Sequence, residues 1–169
     1  MTTVYIMRHG LAESGAGRPD EERRLTPEGV AQMRRAVLGL ERMGVQIDRI
    51  VASPLKRTVQ TAELVAEVLA PGARVIESVA LSTSGSAAAT LGELLSSHGG
   101  VGRIFLVGHL PDVAVLVGLL IRGEARGSFN FAPGSLACVH FDGAVSRGGG
   151  TLRWLMSSAQ LQTAAALAP

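Results

Sequence analysis

The chain has 169 residues, 47% of them hydrophobic, which allows one domain with a substantial core and leaves no length for a second. The formal net charge is only +2, fifteen of the sixteen basic residues are arginine (Lys56 is the exception), and six aromatics with no interleaved basic run give no nucleic-acid surface. No apolar run reaches the roughly 18 residues of a membrane span, no signal-type stretch precedes Arg8, and Cys138 is alone, so a cytoplasmic protein with no membrane attachment and no disulfide framework is expected.

The first element is the run Val4-Tyr5-Ile6-Met7, which stops at Arg8-His9-Gly10. A short apolar run could also be one turn of a buried helix, but the Val, Tyr and Ile content and the glycine stop favour a buried strand that delivers its C-terminal end to the surface. An imidazole beside a guanidinium is pushed below its ordinary pKa of about 6.5, which leaves His9 neutral with a free lone pair. Such a group can attack phosphorus if other cations hold the phosphoryl oxygens. Gly10 would let the backbone turn closely around the anion. Residues 11–24, rich in Gly, Pro and mixed charge, read either as a solvated connection or as the rim of a pocket.

Thr26-Pro27-Glu28 starts a helix with a cap, a proline at its first position and a first-turn acid, and Val30, Met33, Val37 and Leu40 give it one buried stripe that stops near Gly44. A second strand over Arg49–Ala52 runs into Ser53-Pro54, read as N-cap and first residue of the next helix. That places Arg57 in the first turn, where free N–H groups already favour an anion. Val59, Ala62, Ala66 and Leu69 would form the buried face of this helix, and Pro71 ends it. Arg74–Glu77 reads as a short edge strand. A helix over 87–95 is ended by Gly99-Gly100, and a strand over Arg103–Val107 ends in Gly108-His109. Pro111 opens an almost wholly apolar, deeply buried helix over Asp112–Ile121. Ser135–Phe141 and Thr151–Met156 form an antiparallel hairpin on the margin of the sheet. His98 and His140 read as surface and strand residues, and the Ala-Leu-rich end as a frayed tail. Groups at the C-terminal ends of parallel strands converge on one crevice, so Arg8, His9, Arg57 and His109 can meet around a single phosphoryl group.

The segments Met7-Arg8-His9-Gly10, Asp20-x-x-Arg23-x-Leu25-Thr26-x-x-Gly29, Ser53-Pro54-x-x-Arg57-x-x-x-Thr61, Gly108-His109-Leu110-Pro111 and Trp154-x-Met156-Ser157 resemble, in that order, the motifs of the histidine phosphatase superfamily, and within it those of its small bacterial phosphohistidine phosphatases. The resemblance implies an α/β fold, a three-layer α/β/α sandwich with a mostly parallel central sheet and an antiparallel C-terminal margin. It would fill residues 1–160 as one domain, with 161–169 as a tail. It also implies that Arg23 and Asp20 border the site, with Gly10, on the substrate side, although Arg24 stands where relatives usually have proline. Larger members place a proton-donating glutamate in the loop after the third strand, and here residues 78–85 hold no carboxylate. An alkoxide leaving group needs that proton, whereas the bridging nitrogen of a phosphoramidate can be protonated beforehand. Glu77, Glu13 and Glu93 remain as possible donors.

The expected function is hydrolysis of protein phosphohistidine through a covalent phosphohistidine on His9, with Arg8, Arg57 and His109 balancing charge on the oxygens and no metal or organic cofactor. The expected partner is a phosphohistidine-bearing protein, such as a histidine phosphotransfer domain of a signalling relay, met by a monomer. The chain shows no inserted lid, which suits a histidine presented on a protein surface. The competing readings are a broader phosphomonoesterase acting on small-molecule phosphates and a non-catalytic phosphoprotein-binding module. A metal hydrolase would need three or more ligands, and only His9 and His109 recommend themselves. Gly15 and Gly17 match no nucleotide-binding loop.

Overall fold

In the first strand, Val4 and Ile6 are buried on one face while Tyr5 and Met7 are buried on the other. A strand with two apolar faces has to be covered on both sides, and in the computed structural model helices do so. The structure describes residues 1–98, 100–126 and 129–166. The strands are β1 (Thr2–Arg8), β2 (Arg49–Ala52), β3 (Ile76–Glu77), β4 (Arg103–Gly108), β5 (Leu136–Phe141) and β6 (Thr151–Met156). They form one six-stranded sheet in the order β3-β2-β4-β1-β5-β6. The first four are mutually parallel, and β5 and β6 are antiparallel to their neighbours. Helices α1 (Pro27–Arg42), α2 (Lys56–Leu69) and α5 (Ser158–Ala166) cover the Tyr5 and Met7 face, and α3 (Ala87–Ser97) and α4 (Asp112–Arg122) cover the other. The α/β/α layering and the antiparallel margin are those expected.

Local chemistry fixes the helix starts. Thr26 caps α1, its Oγ1 accepting from the Gly29 N–H at 2.9 Å, with Pro27 at the first position. Helix α2 differs from expectation. Ser53 and Pro54 lie outside it, and the helix begins at Lys56 after Leu55. Thr58 Oγ1 donates to the Ser53 and Leu55 carbonyls instead, at 2.8 and 2.5 Å. The buried face is rotated accordingly. Thr58, Thr61, Ala62, Leu64, Val65 and Ala66 are buried, and Val59 and Leu69 only partly. Two threonines point inward because they make hydrogen bonds there, which apolar periodicity does not register.

The other departure is at the C-terminus. Residues 161–166, expected to be a tail, continue α5, which packs along α1. Leu161 is fully buried, and Gly39 of α1 lies so close to the Leu161 carbonyl that a Cβ there would collide with it. Residues 167–169 lie outside the described residues, as does Gly99 of the expected Gly99-Gly100 stop. His98 is buried rather than on the surface, its Nδ1 2.8 Å from the Arg49 guanidinium. Among the described residues no helix is long and apolar enough to cross a membrane.

Candidate active site

Three neighbouring strands place the site. In the parallel registers Ala52 pairs with Val107 and Arg8 with Gly108, so β2, β4 and β1 end on one level. The residues just beyond are Ser53, His109 and His9. The His9 N–H donates to the Gly108 carbonyl and the Ser53 N–H to the Val107 carbonyl, which extends the ladder to the rim. Strands in a sheet lie roughly 4.8 Å apart. The His9 and His109 rings accordingly have centroids 5.2 Å apart, tilted by 55°.

His9 is buried, and its Nδ1 lies 2.8 Å from the Gly10 carbonyl. A carbonyl only accepts, so Nδ1 carries the proton and Nε2 keeps the lone pair. Its pKa is lowered to about 4, chiefly by burial, with the Gly10 bond opposing the shift and Arg57, Arg8 and Arg23 adding to it. The guanidinium adjacent in sequence is therefore a minor cause of the shift. His109 is also buried, with Nε2 2.9 Å from Ser53 Oγ and Nδ1 3.3 Å from Arg57 NH2. Burial, then His9 and Arg57, take its pKa to about 3. Both rings are neutral at pH 7, so the positive charge of the site belongs to arginines.

Arg57 is almost wholly buried in the first turn of α2. Its NH1 donates to the Asp20 carbonyl at 2.7 Å and its NH2 to Asp20 Oδ2 at 2.9 Å. Arg8 NH1 donates to the Phe131 carbonyl at 2.8 Å. The Nε groups of both arginines are buried without a protein acceptor. Buried donors are nearly always paired, so two orphaned guanidinium N–H groups beside two neutral imidazoles fit an anion.

Asp20 sits in a 3₁₀ turn, Asp20–Glu22, and bridges Arg57 to Arg23, whose NH1 is 2.8 Å from Oδ1. Hydrogen bonds from Arg23 and then Arg57 hold its carboxyl below the ordinary aspartate range, so it is an anion rather than a proton donor. Arg23 also donates from Nε to the Glu13 carbonyl. These two residues do border the cluster, and they reach it through Arg57. The Asp20–Arg57 pair stands at the mouth, with the Asp20 side chain 47% exposed, and the second NH2 hydrogen of Arg57 faces His109.

Packing gives Gly10 a reason of its own to lack a Cβ, which would meet the Met33 Cγ at 2.7 Å and then Leu25. The Gly10 N–H donates to Thr61 Oγ1 at 3.1 Å, and its carbonyl holds His9, which makes it a brace for the imidazole. Two residues had no role in the site assigned from sequence: Ser53, which orients His109, and Thr61, which ties Gly10 to the turn carrying Arg57 by donating to the Arg57 carbonyl. Both lie in the Ser-Pro-x-x-Arg-x-x-x-Thr segment, and that spacing was their signal. Of the carboxylates considered as donors, Glu13 is committed to Arg18 and the Arg24 N–H and held below its ordinary range, and Glu93 accepts from Ser78 at 2.5 Å. Hollows of about 470 and 500 Å³ lie elsewhere, against α2 and between α3 and α4. Among the described residues, no group of three or more His, Cys, Asp or Glu could hold a metal ion.

This constellation on a mostly parallel α/β/α sheet is that of a phosphoryl-handling hydrolase. The sequence model of the histidine phosphatase superfamily (branch 1) matches residues 4–83. The chain is 34% identical over 167 residues to phosphohistidine phosphatase SixA of Escherichia coli strain K12, covering 97% of this chain and 99% of that one. The structure of the protein histidine phosphatase SixA complexed with tungstate superposes with a TM-score of 0.83 at 32% identity, covering 95% of this chain and 99% of that one. An alpha-ribazole phosphatase from Shigella flexneri shares the fold at 18% identity, with a TM-score of 0.71 over 93% of this chain and 97% of that one. The chain belongs to the histidine phosphatase superfamily. It is accordingly a hydrolase of the phosphatase class.

Proposed function

We propose that this protein hydrolyses phosphohistidine on a partner protein, with His9 Nε2 as the nucleophile. The observation that carries the reading is the pair of buried, unpartnered Nε donors of Arg8 and Arg57 beside a neutral His9 whose lone pair is at Nε2. In the first step Nε2 attacks phosphorus in line, a new N–P bond forms, and the N–P bond of the substrate breaks. The departing imidazole, protonated beforehand on its other ring nitrogen, takes the electron pair of the N–P bond and leaves neutral. Arg8 and Arg57 stabilise the equatorial oxygens as charge builds on them, and His109 donates to one of them. In the second step water attacks the phosphoryl group on His9 and releases inorganic phosphate, which restores the free imidazole.

The substrate class rests on two supports. The loop after β3, Ser78 to Gly85, supplies no carboxylate to protonate an alkoxide, and Asp20 is held ionised. The chain also matches a phosphohistidine phosphatase over nearly its whole length. A histidine phosphotransfer domain of a signalling relay in the cytoplasm, met by a monomer of this chain, is the partner and setting that go with this reading. The test compares turnover on a phosphohistidine-bearing phosphotransfer protein, on sugar phosphates and on an activated aryl phosphate. The expected order is phosphohistidine first, aryl phosphate second and sugar phosphates negligible, and a preference for sugar phosphates would overturn the substrate class.

A further inference from the structure

His109 is held by a hydroxyl to which the two-step mechanism gives no task. Ser53, fully buried just beyond β2, meets His109 Nε2 at 2.9 Å, while Nδ1 faces Arg57 NH2 at 3.3 Å. A guanidinium nitrogen can only donate, so Nδ1 is the acceptor here and the ring proton is on Nε2, donated to Ser53 Oγ. This tautomer has no N–H to offer an incoming oxyanion. Burial and the neighbouring His9 and Arg57 keep the ring from taking a second proton, with a pKa near 3.

We propose that Ser53 is a positioning residue that lets His109 exchange tautomers when a phosphoryl group enters. In the occupied site the proton is on Nδ1 and is donated to a phosphoryl oxygen, while the Ser53 O–H turns to donate to Nε2. The ring loses one proton from Nε2 to solvent and takes one from solvent at Nδ1, so its charge is unchanged, and Ser53 keeps its own proton. Ser53 Oγ also accepts from the Leu55 N–H at 3.4 Å. That leaves it one lone pair and one O–H for the imidazole, which are the two options the exchange requires. Without an anion, an Nδ1–H would face the Arg57 NH2 donor to donor. A phosphoryl oxygen between them accepts from both, so occupancy of the site selects the tautomer. The inference rests on the phosphoryl-transfer reading of the same site and adds the residue that sets the second imidazole.

The test is nitrogen NMR of the His109 ring in the whole protein at pH 7, free and saturated with tungstate as the oxyanion probe. The expected result is protonation at Nε2 in the free protein and at Nδ1 in the tungstate complex. Protonation at Nε2 in both states, or at both nitrogens in the complex, would overturn it. Ser53→Ala should abolish the exchange and lower kcat/KM roughly tenfold or more, and Ser53→Thr, which keeps the hydroxyl, should recover both. An Ala variant with the wild-type tautomers and kcat/KM would also overturn it. The wild-type spectra decide the question even if a variant folds poorly. Failure to bind tungstate would overturn both this inference and the phosphoryl-transfer reading, whereas binding without exchange would overturn this inference alone.

Discussion

His9 keeps its lone pair at Nε2 because Nδ1 is committed to the Gly10 carbonyl, and it stays neutral because it is buried among guanidiniums. A depressed pKa means the active form persists as the solution is acidified. Activity should therefore hold well below pH 6 and fall as the pH drops through about 4, with His109 titrating close by so that the apparent values belong to the pair. A pH profile of kcat/KM whose acid limb lies near the ordinary histidine value of about 6.5 would contradict the burial of the ring. Arg57 is the other residue on which the proposed mechanism turns. Its almost wholly buried guanidinium meets the site at fixed geometry, so Arg57→Ala should lower kcat by about 10²–10³, as losing a preorganised oxyanion donor does. The loss should be smaller for substrate binding than for kcat, and a raised KM with kcat unchanged would make Arg57 a simple anchor. Asp20 explains why so exposed a side chain belongs to the site: it holds both terminal nitrogens of Arg57, one through its carbonyl and one through its carboxylate.

At the scale of elements, β2, β4 and β1 end level, and each delivers one functional group to the rim. Those ends were legible in the sequence because three apolar runs stop abruptly at Arg8-His9, Ser53-Pro54 and Gly108-His109. The bracing was not. Thr58 and Thr61 carry no apolar signal for the buried face: Thr58 turns inward to bond the Ser53 and Leu55 carbonyls of its own turn, and Thr61 accepts from the Gly10 N–H, 51 residues earlier in the chain. The packing constraint on Gly10 was hidden for a similar cause, since Met33 and Leu25, which fill the space beside it, come from α1 and the segment before it. Helix α5 was missed because its alanines give almost no amphipathic contrast, and its apolar partner is α1, far earlier in the chain. Leu161 tests that element. Leu161→Ala should cost about 2–5 kcal/mol, the range for emptying a buried leucine site, and a chain ending at Gln160 should be destabilised as well. Equilibrium urea unfolding measures both, and wild-type stability in either would return residues 161–166 to the status of a tail.

For the whole molecule, an active site of buried neutral histidines ties stability to pH. The unfolded chain takes up protons at about 6.5, while the folded chain resists until about 4 at His9 and about 3 at His109. The unfolded state thus binds more protons in this window, so stability is fully present above about pH 6.5 and declines as the pH falls toward 4. Each ring contributes a slope on the order of 1 kcal/mol per pH unit. Thermal unfolding at pH 7, 5.5 and 4.5 should show the decline, and a bound oxyanion should offset part of it by favouring the folded state. A melting temperature unchanged between pH 7 and 5 would contradict the neutral burial of both rings.

The central claim is that His9 takes the phosphoryl group in a covalent step. Rapid quenching of turnover into alkali, followed by peptide mass mapping, measures this most directly, because a phosphoramidate survives base and is lost in acid. The account predicts a phosphoryl group on His9 during turnover of a phosphohistidine protein, and neither adduct nor activity in His9→Ala. Undiminished turnover by His9→Ala, or a phosphoryl group found on another residue, would contradict it.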